Sequence, residues 1–217
     1  MSKSVGSSFL CAIICLTQLP ATGVAAEAER SFEPPCASTV WWADSGARHS
    51  DFDFWVGEWM VFDRQSGRLN GIDIIEKDLG GCAIKQRWRH MNDDYSLRGA
   101  GWRMQGTSSS GIAADGLWHQ QWLDNNGGYL MMVGKLNAQG EMVMESDWLE
   151  FTDRGGQRHK LKHRWHWKPL ADGSIHNWGF QRRGLPEVGE WTQYFDIEYR
   201  PIAVGSPLLQ RHDPAKP

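Results

Sequence analysis

The chain has 217 residues, a length that suits one domain of moderate size, and 23 Lys and Arg against 26 Asp and Glu leave a formal charge of -3. That balance gives no reason to expect nucleic acid or an anionic membrane surface as a partner. Tryptophan is the outlier: 13 residues, all after residue 40, which point to a bulky aromatic core, an aromatic-lined cavity or a stacking surface for sugars.

The N-terminus reads as a secretory signal over residues 1-26. Lys3 provides the positive start, Val5 to Leu16 the apolar run, and Val24-Ala25-Ala26 the small residues before Glu27. A membrane anchor needs roughly 18 or more apolar residues, and Gln18, Pro20 and Gly23 interrupt this run too early. Lipoprotein signals place a small residue before the modified cysteine, whereas Leu10 precedes Cys11 and Ile14 precedes Cys15. The expected mature chain is therefore exported, to the periplasm or beyond, with no membrane span after processing. It carries Cys36 and Cys82, which permit one disulfide, and neither has the charged surroundings of a reactive thiol.

Residues 27-49, with Pro34-Pro35 and Trp41-Trp42, read as an extended arm that a Cys36–Cys82 bond would tie to a barrel mouth. The segment Ser50-Asp-Phe-Asp-Phe-Trp-Val-Gly-Glu-Trp59 follows. Its Gly57-x-Trp59 doublet marks the junction of a short helical turn with a strand, which plugs one end of small closed β-barrels.

From residue 50 to about 200 short alternating runs predict antiparallel strands at 57-64, 71-78, 82-90, 97-104, 117-124, 129-136, 141-149, 158-168, 174-182 and 190-200. Turn residues separate them, among them Asp115-Gly116, Asn125-Asn-Gly-Gly128, Asp153-Arg-Gly-Gly156 and Asp172-Gly173. A meander of about ten strands either splits into two sheets or closes on itself, because an open sheet exposes its edges. Residues 201-217 read as a flexible tail.

Alternation also sorts side chains by face. Along 82-90, Cys82, Ile84, Gln86, Trp88 and His90 are expected inside. Along 117-124, Trp118, Gln120, Trp122 and Asp124 form one face and Leu117, His119, Gln121 and Leu123 the other, with the inward one less settled. Along 158-168, His159, Leu161, His163, Trp165 and Trp167 oppose the solvated set Lys160, Lys162, Arg164, His166 and Lys168. Along 190-200, Trp191, Gln193, Phe195, Ile197 and Tyr199 oppose Thr192, Tyr194, Asp196, Glu198 and Arg200. Polar groups buried without partners cost on the order of 1–3 kcal/mol each. Gln86, Gln120, Asp124 and His163 therefore imply water, a mutual network or a ligand, the alternative being a lumen filled by indoles.

Several phrases together resemble a bacterial family known as a domain of unknown function and grouped with lipocalin-like or calycin-like barrels. They are Phe52-Asp-Phe-Trp-Val-Gly-Glu-Trp59, Ile72 to Glu76 leading to Gly80-Gly-Cys-Ala-Ile84, Trp118-x-x-x-Trp122-x-Asp124, Gly134, the Trp167 to Gly173 turn and the closing Trp191 to Tyr199 strand. The resemblance covers about residues 50-200. It implies an all-β, single antiparallel up-and-down barrel of about ten strands, with a short N-terminal helix closing one end and no agreed activity. Relatives carry a Tyr-Asp pair before the first of these tryptophans, where this chain reads Ser108-Ser-Ser-Gly-Ile-Ala-Ala114. Gly179 stands near a position that is aromatic in relatives, and it would widen a cavity if it faces inward.

The resulting expectation is an exported binder of a small amphipathic or aromatic molecule. Trp88, Trp118, Trp122 and Trp165 supply apolar walls, and Gln86, Gln120, Asp124 and His163 orient polar groups. Trp59 packs beneath the floor. An isomerase or lyase using Asp124 or His163 in the same pocket is the rival, with Glu58 and His119 in reserve if the faces are reversed. A carbohydrate-binding module using exposed Trp is the third reading. No cofactor or metal is expected: His159 and His163 share a face from which His166 points away, and a haem would have His163 as its sole axial candidate. No nucleophile-elbow or phosphate-loop motif appears.

Overall fold

The computed structural model describes residues 46–92, 99, 101–153, 155–185 and 188–203. The signal segment, Cys36, most of the arm and most of the tail lie outside the described residues. Eleven strands follow one another: β1 (Gly57–Asp63), β2 (Leu69–Asp78), β3 (Ala83–His90), β4 (Gln105–Ile112), β5 (Trp118–Asp124), β6 (Tyr129–Leu136), β7 (Met142–Ser146), β8 (Leu149–Thr152), β9 (Arg158–Pro169), β10 (Ile175–Arg183) and β11 (Thr192–Pro201).

All pairings are antiparallel, and β10 pairs with both β9 and β11, so ten strands close into a barrel. The remaining strand, β8, pairs only with the first residues of β9, Arg158–Leu161, whereas β7 pairs with Arg164–Trp167. Closure answers the edge problem that the meander raised.

One turn device recurs. Asp115, Asp124, Asn137, Asp153 and Asp172 each accept a hydrogen bond from the backbone N–H two residues on, at 2.9–3.0 Å. A glycine with φ between 73° and 94° follows in each of these turns. A short polar side chain mimics the first half of the turn, and glycine takes the left-handed position that a Cβ resists.

One end of the barrel is plugged. A single 3-10 turn, Asp53–Trp55, stands where a short helix is expected, and it carries Phe52 and Trp55 into the interior. Their rings stack 4.7 Å apart, and Phe52 meets Trp118 and Trp167 edge-on. The Gly-x-Trp doublet has a local reason. The Trp59 indole folds back to donate to the Trp55 carbonyl at 3.0 Å, and a Cβ on Gly57 would come within 3.0 Å of that ring. Trp59 packs edge-on against Tyr199 in the core, outside the cavity wall.

The outer face of β9 is basic, and its cations are paired. Arg158 and Lys160 meet Glu150, Lys162 and Arg164 meet Glu145, and Lys168 meets Glu141, all within 3.0 Å. Such exposed pairs add little stability, typically about 0–1 kcal/mol each. Three carboxylates against five cations leave this stripe paired throughout but still slightly positive.

Three sequence expectations need correction. The strand expected at 97-104 begins instead at Gln105, so Ser108–Ile112 belongs to a strand. Its small residues are required there, because a Cβ on Gly106 would sit 2.2 Å from the Trp122 ring. Cys82 precedes β3 and caps a 3-10 turn, so it has no inward strand position. A bulge in β11 pairs Phe195 with Gly179 and Gln193 with Phe180, leaving Tyr194 as the extra residue. Parity reverses there, so Gln193 is exposed and Trp191 lies outside, with the Arg164 guanidinium 4.3 Å from its ring. Gly179 does face inward, as the expectation required, and the Phe195 ring takes the space a side chain would fill, 2.1 Å from its ideal Cβ.

Candidate functional site

Above the plug lies a cavity of about 270 Å³, near the lower end of the range for ligand pockets, about 300 Å³. Its walls are aromatic. Five indoles line it, those of Trp55, Trp88, Trp122, Trp165 and Trp167, together with the rings of Tyr194, Phe195 and Tyr199.

Large rings usually fill a small barrel, and here three glycines prevent it. Gly71 on β2, Gly106 on β4 and Gly179 on β10 lie under the rings of Trp88, Trp122 and Phe195 respectively, where an added Cβ would approach to 2.6, 2.2 and 2.1 Å. Each ring therefore occupies the space over a glycine of a neighbouring strand. The lumen stays open as a result.

Bulges bring two further groups to the wall. In β1–β2, Val61 pairs with Gly71 and Phe62 with Leu69, which frees Asn70 to line the cavity, as the β11 bulge frees Tyr194. The Tyr194 hydroxyl is held twice, accepting from the Trp165 indole N–H at 2.5 Å and lying 3.1 Å from His163 Nδ1. With the hydroxyl donating to Nδ1, the imidazole proton belongs on Nε2. Burial keeps His163 below its ordinary range, so the neutral ring that this bond requires is also the favoured one at neutral pH.

Behind the wall sits a buried acid. Asp73 has no exposed surface, and its Oδ2 accepts from Gln86 Nε2 at 2.6 Å and from the Tyr199 hydroxyl at 3.2 Å. Ser108 Oγ donates to Gln86 Oε1 at 2.7 Å and completes a chain from β4 to β2. Desolvation dominates these two bonds and pushes the Asp73 carboxyl up to about 8, so it is protonated at neutral pH. Burial raises the Tyr199 hydroxyl as well, with Asp73 adding to the effect. The cavity-facing members of this network are Gln86 and Tyr199.

The expected site residues divide accordingly. Gln86, Trp88, Trp122, Asp124 and Trp165 line the cavity. Trp118 is fully buried against Phe52 below it. Gln120 is buried in the wall, donating to Ser110 Oγ at 3.1 Å. His163 stands behind Tyr194 instead of on the lining surface. Asp124 is engaged by the Trp122 indole N–H at 2.9 Å and by the N–H groups of Asn126 and Gly128, and a Cβ on Gly128 would meet its Oδ2 at 2.1 Å. It builds the β5–β6 turn. His119 pairs with Asp115 on the outside, and Glu58 is exposed.

Asp73, Asn70 and Tyr194 were not picked out by the sequence reading. Asp73 had a signal: it falls between Gly71 and Ile75 on the alternation of a strand whose other face, Ile72 and Ile74, is also apolar. The bulged residues had none.

The remaining histidines do not converge on a metal geometry. His159 bonds Asp153 at 2.9 Å, His166 stacks on Trp178 at 4.8 Å, and among the described residues no group of three candidate ligands forms. Several outer indoles have occupied faces. Trp178 is sandwiched between His166 and His176, Trp191 carries Arg164, and Trp148 carries Lys160. No family model matches the chain, and no curated protein matches it.

Proposed function

We propose that the protein is an exported small-molecule-binding barrel of the lipocalin-like type, holding an aromatic or amphipathic compound in its indole-lined cavity. The observation that carries this reading is the seating of Trp88, Trp122 and Phe195 on Gly71, Gly106 and Gly179. A barrel built only for stability gains by packing large side chains across its lumen, whereas these glycines hold the rings back and preserve an opening.

Export rests on Lys3, the apolar run to Leu16 and the small residues before Glu27. Gln86, Trp88, Trp122, Asp124 and Trp165 are the proposed contacts, joined by Tyr194 and Tyr199. Trp118, Gln120 and His163 support them from behind. Binding is favoured over catalysis because Asp124 is committed to its turn and to Trp122, and His163 to Tyr194. Sugar stacking is disfavoured by the occupied faces of Trp148, Trp178 and Trp191.

Titration of intrinsic tryptophan fluorescence with ring compounds tests the reading. Saturable quenching supports it. Turnover of the bound compound by the wild type, lost in Asp124→Asn or His163→Gln, would replace a binding role with an enzymatic one.

A further inference from the structure

We infer that the cavity selects an uncharged, flat, one- or two-ring molecule carrying hydrogen-bond acceptors, such as a ring carbonyl. The inference rests on the binding reading and names the ligand class for that site.

Size comes first. At about 30 Å³ per water, a cavity of 270 Å³ holds the equivalent of about nine waters, which suits one or two rings and no long chain. Indole and phenol walls on several sides favour a flat occupant, since ring faces are gained by stacking.

Charge comes next. Among the described residues no lysine or arginine lines the cavity, and His90 is the basic side chain in its wall, so an anion would be desolvated beside no permanent positive charge, at a penalty of several kcal/mol. Asp124 is the lining carboxylate, and the indole N–H of Trp122 and two backbone N–H groups already compensate it. Asp73, protonated at neutral pH, adds no negative charge behind the wall. An organic cation would gain ring-face attraction but leave the next feature unanswered.

That feature is a surplus of donors. The indole N–H groups of Trp88 and Trp167 are buried and find no acceptor among the described residues, and both rings line the cavity. An unpaired buried donor costs on the order of 1–3 kcal/mol. Turning either ring to present its N–H to a ligand acceptor would recover that cost, and neither a hydrocarbon nor a quaternary cation can.

The experiment compares three flat two-ring probes on the purified protein by isothermal titration calorimetry: coumarin, neutral with acceptor oxygens; 2-naphthoate, an anion; and N-methylquinolinium, a cation. Coumarin is expected to bind at least about tenfold more tightly than either charged probe. Trp88→Phe and Trp167→Phe keep a ring while removing the N–H, and at least one should weaken coumarin about three- to tenfold. Equal or tighter binding of a charged probe overturns the ligand class and leaves the binding reading standing. Coumarin affinity unchanged in both variants overturns the acceptor requirement. No binding by any probe overturns both readings.

Discussion

The ring of Trp122 lies so close over Gly106 that a Cβ on the glycine would approach it to 2.2 Å. Two positions on adjacent strands thus decide together whether the indole lies along the wall or crosses the lumen. Gly106→Ala should push the ring inward, lower the affinity for any cavity ligand and destabilise the fold by about 1–3 kcal/mol through overpacking. Gly71→Ala should act likewise through Trp88. Denaturant titration beside a binding isotherm checks both, and an unchanged affinity in both variants would contradict the role given to the glycines.

Asp73 makes stability depend on pH in a direction opposite to that of most carboxylates. The unfolded chain loses this proton near the ordinary value of 3.8, whereas the folded chain holds it to about 8. Between those values the folded state binds one more proton, so its stability from this group is full below about 4 and falls as pH rises, at up to about 1.4 kcal/mol per pH unit, levelling above about 8. Asp73→Asn mimics the protonated form and should lose this slope. Denaturation curves at pH 5, 7 and 9 compare the two, and parallel pH profiles would contradict a buried neutral acid.

Tyr194→Phe should strip the Trp165 N–H and His163 Nδ1 of their shared partner. The expected cost is about 1–3 kcal/mol for the groups left unpaired, together with weaker ligand binding as Trp165 loses its anchor. A variant with wild-type stability and affinity would remove Tyr194 from the wall's supporting structure.

Much of the barrel was legible because its signals are local. Alternation placed Gln86 and Trp88 inward and set Trp118 and Trp122 on one face, and each Asx-Gly pair marked a turn, since both depend on neighbours in sequence. The strand at Gln105–Ile112 was missed because its serines and glycine carry little strand propensity. Their logic lies in the Trp122 and Gln86 side chains they accommodate. Parity failed at the β11 bulge for the same kind of reason: one unpaired residue, set by pairing with β10, turned Tyr194 in and Trp191 out. The raised pKa of Asp73 was illegible because it arises from burial in the closed barrel, which outweighs the bonds from Gln86 and Tyr199.

The proposed export predicts that Cys36 and Cys82 pair. A shift in electrophoretic mobility on reduction, abolished in Cys36→Ser, checks the bond. Identical mobility with and without reductant would contradict it.

The most direct test of the cavity is a titration followed through the indole N–H signals of the ¹⁵N-labelled protein, with coumarin as the probe. The account predicts that the signals of Trp88, Trp122, Trp165 and Trp167 shift together and saturate, while those of Trp178 and Trp191 on the outer face stay still. Shifts confined to Trp178 and Trp191, or none at all, would contradict a ligand cavity inside this barrel.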